Sequence, residues 1–168
     1  TLQSLGAKTT LVSGPTSLAE PNVEQVIKVN SADEMLEACE SSLPADIAVC
    51  AAAVADYKIA NKEIAKIKKD GSRQNIILEE NPDILERLSK RNHLRPKLVV
   101  GFAAETSNLE RNSDEKLNKK GCDWVLGNNV SENSIFNQDT NKIYFTSKLY
   151  SENWELMTKK EVAKKLCQ

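Results

Sequence analysis

Apolar positions along this chain cluster in short runs, the longest being residues 47–55, and between them lie longer stretches whose apolar positions recur every three or four. Runs of the first kind read as strands and stretches of the second as amphipathic helices. Residues 8–13 (KTTLVS) and 24–29 are rich in β-branched side chains and predict two strands, broken between them by the turn residues Gly14-Pro15-Thr16. That turn is a candidate ligand-facing loop. Ser31 and Glu34 form an S-x-x-E capping pattern, and a helix over 32–42 would place Met35, Leu36, Cys39 and Leu43 on one face. Residues 46–53 are almost continuously apolar, as expected for a strand covered on both faces at the centre of a parallel sheet.

The pattern then changes. Residues 57–80 are lysine-rich up to a strand-like QNIILEE, with no long helix between, and predict a projecting flap. Asn81-Pro82-Asp83 supplies an N-cap, a proline at the first helical position and an acid in the first turn, and predicts a helix over 82–91 with Ile84, Leu85 and Leu88 buried. Residues 97–103 (KLVVGFA) form a second buried strand, 109–120 a helix stopped by Gly121, and 123–126 a further strand. A polar loop over 127–141 leads to two late strands, 142–148 and 154–157, arranged as a hairpin, and Thr158 with Glu161 caps a terminal helix. Strands alternating with helices predict one α/β domain over residues 1–168, a three-layer sandwich on a mainly parallel sheet with ligands at the C-terminal ends of its strands.

Composition narrows this picture. With 40% hydrophobic residues in 168, the chain can bury a core of its own. Twenty-three basic residues balance 24 acidic ones, which gives no overall field for nucleic acid or an anionic membrane, so an anion site must be local. The longest apolar run, 47–55, falls short of the roughly 20 residues that span a bilayer. These features predict a soluble, cytosolic protein. Cys39, Cys50, Cys122 and Cys167 are widely spaced and accompanied by a single histidine, His93, which argues against zinc, and Cys50 in an apolar strand and Cys39 on a helix read as reduced, core-packed thiols rather than disulfide partners.

The distinctive residues sit at the predicted strand ends. Asp56 closes the run CAAAVADY and is followed ten residues on by the basic run Lys66-Ile67-Lys68-Lys69. A carboxylate there can hold a divalent metal, lysines can neutralise phosphate, and small alanines let a ligand approach the backbone. Taken singly, Asp56 could be the polar end of a strand and the lysines a solvated face. Lys116 and Lys120 are four apart and share a helix face, as an anion clamp or as two exposed lysines. Phe102 could stack a base or pack in the core. Asn81 caps its helix, whose first N–H groups could meet an anion or a base edge. His93 reads as a surface residue, and Trp124 and Trp154 as core or interface. Neither GxGxxG nor GxxxxGK[ST] occurs, which disfavours a nicotinamide oxidoreductase or a P-loop enzyme.

GAKTTLVSGPT, CAAAVADYK, KIKK, ENPDIL, GFAAET and K-x-x-x-K-G-C-D-W-V-L-G-N-N, in this order, resemble the phosphopantothenoylcysteine synthetases, the synthetase half of bacterial coenzyme A biosynthesis proteins often fused to a flavin-dependent decarboxylase. The resemblance implies a Rossmann-like fold and ligation of 4'-phosphopantothenate to L-cysteine through an acyl-cytidylate, using CTP with Mg2+ and releasing CMP and pyrophosphate. FMN belongs to the decarboxylase half. Carried over by motif, Cys50, Ala51 and Ala52 line the cytidine site and Asp56 serves the nucleotide or its metal. Lys66 is the catalytic phosphate ligand. Glu79, Glu80, Asn81 and Pro82 contact the nucleotide, Phe102 packs near the base, and Lys116 and Lys120 complete the site. The resemblance also implies a homodimer formed partly through the 57–80 flap. It further implies a glycine-rich strand and an asparagine-bearing loop ahead of the segment TLQSLGA. Two alternatives stand beside the CTP-dependent ligase: its ATP-using variant, and a nucleotide-binding or dimerisation module that does not ligate by itself.

Overall fold

The structure, a computed structural model, describes residues 1–61, 71, 75–130 and 139–168. In chain order its strands and helices are β1 (Thr10–Ser13), β2 (Gln25–Lys28), α1 (Ala32–Ser41), β3 (Ile47–Cys50), β4 (Tyr57–Ile59), β5 (Leu78–Glu80) and α2 (Ile84–Ser89). Then follow β6 (Leu98–Glu105), α3 (Leu109–Lys120), β7 (Trp124–Asn129), β8 (Thr140–Asn141), β9 (Ile143–Ser147), β10 (Ser151–Asn153), β11 (Met157–Thr158) and α4 (Lys159–Lys165). The main sheet has five strands in the order β10-β9-β7-β6-β3, parallel from β3 through β7 and antiparallel at β9 and β10. β1 and β2 form a separate parallel pair.

Alternation along the central strands assigns side chains to two layers. Val99, Ala103 and Val125 face α2 and α3, where they bury Leu85 and Leu117. Val100 and Leu126 face the other way, against Ile143, Phe145, Trp154 and Val162 of α4. Helices thus cover both faces, the expected three-layer α/β arrangement. The Trp154 ring stacks on Phe145 at 5.6 Å between centroids, and Trp124 meets Phe145 edge-on at 5.5 Å, so both tryptophans are core residues. A third cluster joins Met35, Leu36, Cys39 and Leu43 of the α1 region to Ile84 and Leu88 of α2, as the predicted stripes require.

Local signals explain most helix ends. Ser31 accepts the Glu34 N–H at 3.2 Å, although Glu34 returns its carboxylate to the Asn30 N–H rather than to the cap residue. At α4 the Thr158–Glu161 capping box is complete. The last turn of α3 ends in left-handed Gly121 (φ 70°), whose N–H reaches the Leu117 carbonyl.

Four expectations need correction. Among the described residues β3 pairs with β6 on one side only, and Ile47 and Val49 on its second face are 46% and 40% exposed, so the expected cover on both faces is incomplete. The N-cap of α2 is Asp83, so Pro82 precedes the helix instead of opening it. Residues 127–129 continue β7, because strand pairing with Ala103, Ala104 and Glu105 of β6 outlasts the apolar pattern. The hairpin partner of β9 is Ser151–Asn153, and residues 154–157 are split between Trp154, whose ring fills the core, and Met157, which pairs with Asn141 of β8.

Candidate active site

Three chain segments meet beside the carboxyl ends of β3 and β6. The first is the loop 51–56 leaving β3, in which Ala51, Ala52 and Asp56 are exposed. The second is the base of the flap, where β4 pairs antiparallel with β5 and sets Tyr57 opposite Glu80 and Lys58 opposite Glu79. Asn81 ties these two together: its N–H donates to the Asp56 carbonyl and its side-chain amide to the Ala55 carbonyl, both at 2.8 Å. Asn81 was expected to cap α2; it holds the loop instead. Lys58 fastens the flap base to the first turn of α1, 2.6 Å from Asp33 and 3.6 Å from Glu79.

The third segment is the C-terminal half of α3. Side chains on a helix lean toward its N-terminus, so lysines on the last turns reach back along the sheet toward the strand ends. Lys116 donates to the Phe102 carbonyl at 2.6 Å. Lys120 pairs with Asp83 Oδ2 and lies 3.8 Å from Glu86, with its side chain 18% exposed. The other oxygen, Asp83 Oδ1, accepts the Glu86 N–H at 2.9 Å and caps α2.

Electrostatics follow from this packing. Burial alone would push the Asp83 carboxyl up, but the Lys120 hydrogen bond, the Glu86 N–H and the charges of Lys120 and Lys116 together leave it below its usual value. The hydrogen bond that Lys120 donates to Asp83 raises the lysine against the effect of burial, with smaller contributions from the charges of Asp83, Glu86 and Asp56. Asp56, Asp83, Lys116 and Lys120 therefore share one electrostatic neighbourhood. An open cavity of about 590 Å³ adjoins it, lined in part by Asp83, Glu86, Arg87 and His93.

The predicted residues divide accordingly. Asn81 holds the Asp56 loop and Lys120 pairs with Asp83 two residues further on, while Lys116 reaches the Phe102 carbonyl; Ala51 and Ala52 are exposed on the same loop as Asp56, and Glu79, Glu80 and Pro82 lie on the chain that runs into Asp83. Cys50 packs its thiol between core clusters, and burial pushes that thiol up to about 12, so what it can offer a nucleotide is backbone. Phe102 packs its ring against the Val100 and Leu126 cluster, while its carbonyl meets Lys116. Lys66, Lys68 and Lys69 lie outside the described residues. Asp83 was read only as a first-turn acid, although Asp one residue after proline and three before Glu86 is itself a capping signal. The turn 14–16 overhangs a separate cavity of about 400 Å³ that shares no lining residue with this cluster.

Among the described residues no three metal-ligating side chains converge. Mg2+ commonly keeps several waters and is held by one or two carboxylates together with substrate phosphates. An exposed Asp56 at a strand end fits that requirement.

A parallel-stranded α/β domain with lysines and carboxylates gathered beside its strand ends belongs to the class that binds ligands at this edge of the sheet. The chain belongs to the family described as DNA/pantothenate metabolism flavoprotein C-terminal domain, which it matches over residues 1–168. It is 38% identical over 159 residues to the coenzyme A biosynthesis bifunctional protein CoaBC of Haemophilus influenzae, covering 94% of this chain and 40% of that protein. The protein of the same name from Borreliella burgdorferi is 38% identical over 165 residues, covering 96% of this chain and 41% of that one. The chain thus spans about two fifths of the length of these curated relatives. A crystal structure of the C-terminal domain of coenzyme A biosynthesis bifunctional protein CoaBC superposes with a TM-score of 0.77 at 32% identity, covering 99% of this chain and 74% of that one.

Proposed function

We propose that this domain joins the carboxylate of 4'-phosphopantothenate to the amine of L-cysteine, with CTP as the activating nucleotide, in the cytoplasmic synthesis of coenzyme A. The observation that carries the reading is that Lys120, paired with Asp83, and Lys116, bound to the Phe102 carbonyl, flank the segment on which Asn81 holds the Asp56 loop, in a chain whose family match runs over residues 1–168. A carboxylate is a poor electrophile. Its oxygen attacks the α-phosphorus of CTP, pyrophosphate leaves, and a mixed acyl-cytidylate anhydride forms. The deprotonated cysteine amine then attacks the acyl carbon, the carbon–oxygen bond breaks, and CMP departs with one of the original carboxylate oxygens.

Charge on the triphosphate is the chief obstacle to the first step, and lysines placed before the substrate arrives lower it without reorganisation. Lys116 and Lys120 serve that role, joined by Lys66, which the sequence pattern alone assigns. Mg2+ held by Asp56 would, when bound, offset further phosphate charge. The loop 51–56 is exposed and largely alanine, so cytidine can meet its backbone closely; this favours a base read by main-chain groups, and the motif set favours CTP over ATP.

The exposed residues Tyr57, Ile59, Ile76, Ile77 and Leu78 of the flap support assembly as a homodimer. Among the described residues β1 pairs with β2 alone, and β3 has β6 on one side only; both strands pack on the same α1–α2 cluster. One further strand of the intact protein, followed by an asparagine-bearing loop, fits between them and would complete the site.

The test is pyrophosphate release by the intact protein given phosphopantothenate, CTP and Mg2+ without cysteine. The reading expects up to one equivalent per site, with multiple turnovers once cysteine is added. Release that does not depend on phosphopantothenate, or none at all, contradicts it.

A further inference from the structure

Lys120 and Asp83 come from different helices, α3 and α2, and meet in a half-buried pair 37 positions apart in sequence. The pairing divides the carboxylate between two tasks, since Oδ1 caps α2 through the Glu86 N–H while Oδ2 takes Lys120. An ammonium carries three donors. Among the described residues Asp83 uses one, and Glu86 at 3.8 Å lies beyond hydrogen-bond reach, so donors remain there for a ligand. A free lysine loses the rotamer freedom of its four-carbon stem when it grips a phosphate. Here that freedom is already lost before the ligand binds.

We infer that Asp83 is a positioning residue that holds the Lys120 ammonium in place for the nucleotide phosphates, acting through Lys120 and not by touching the nucleotide with its carboxylate. This inference rests on the reading above and assigns a role to a residue that the motif comparison left aside. Because the carboxylate also caps α2, Asp83→Ala would confuse two effects. Asp83→Asn separates them, since asparagine is as good an N-cap as aspartate but carries no charge to pair with Lys120.

The experiment measures CTP binding by calorimetry, and the KM values for CTP and for cysteine, on the intact protein with Asp83→Asn, Lys120→Ala and both changes. Loss of one charge-assisted contact corresponds to about a tenfold weakening of CTP binding in Asp83→Asn. The KM for CTP should rise while that for cysteine stays within about twofold, and the melting temperature should fall by no more than about 4 °C. The double variant should bind CTP no more weakly than Lys120→Ala alone. An Asp83→Asn protein that binds CTP as the parent does overturns the inference, and so does a double variant in which the two losses add. If the parent itself binds no CTP, the proposed function falls and this inference with it; parental binding with an unaffected Asp83→Asn variant removes the inference alone.

Discussion

Asp83 illustrates how much one side chain can decide. Its carboxyl is held below the ordinary value and the Lys120 ammonium above its own, so the sign of their linkage to stability can be worked out for each. A depressed acid contributes stability that is present above its unfolded value and lost as pH falls through the folded one. A raised lysine contributes stability that is present below its unfolded value and lost as pH rises through the folded one. Relative to Asp83→Asn, the parent should be more stable from about pH 4 to about pH 10 and lose that advantage on both sides. Asp83 is 37% exposed at its side chain, so the advantage is screened to about 1 kcal/mol or less. Urea unfolding of both proteins across that range measures it, and an equal difference at pH 3 and pH 7 would contradict the pairing. The sequence did not disclose this pair. Asn81 and Asp83 flank Pro82 and both are capping residues; which one caps depends on Asn81 finding the Ala55 carbonyl, a contact between residues 26 apart. Lys116 and Lys120 were legible because the four-residue spacing alone puts them on one face.

Elements were legible where their signals are local. The end of α3 follows from its terminal glycine, and the starts of α1 and α4 from their Ser and Thr caps. β10 was missed because Ser151-Glu152-Asn153 shows no apolar alternation; it is a strand only because β9 offers it an edge. The neighbours of β3 were illegible for a related reason, since an apolar run says that a strand is buried on some face but not which strands stand beside it; among the described residues it has β6 alone. How α3 sits is decided by Gly127. A Cβ there would lie 2.8 Å from Leu109 Cδ1 and closer still to Ser113 Oγ, so the glycine lets α3 rest directly on β7. Gly127→Ala should push away the helix that carries Lys116 and Lys120. The expected cost is about 1–3 kcal/mol in denaturant unfolding, together with weaker CTP binding. A variant with parental stability would show that α3 is not seated by this contact.

For the whole molecule, the sequence conveyed the α/β class and the three layers, because strand–helix alternation is written along the chain, and the proposed ligand edge rests on the positions of Asp56, Asn81 and Lys116. It could not convey whether a second copy covers the flap, since that depends on another chain. The flap leaves Ile77 and Leu78 62% and 57% exposed, an apolar surface that a second copy would bury in the proposed dimer. Light scattering on the intact protein should therefore give twice the chain mass, falling to one chain mass for Ile77→Lys; an unchanged dimer would place the interface elsewhere.

The chemistry itself offers the most direct test. Phosphopantothenate labelled with 18O in both carboxylate oxygens is incubated with cysteine, CTP, Mg2+ and the intact protein, and the products are weighed by mass spectrometry. An acyl-cytidylate route predicts phosphopantothenoylcysteine that keeps one labelled oxygen and CMP that carries the other. Amide product with unlabelled CMP, or no amide at all, would contradict the account.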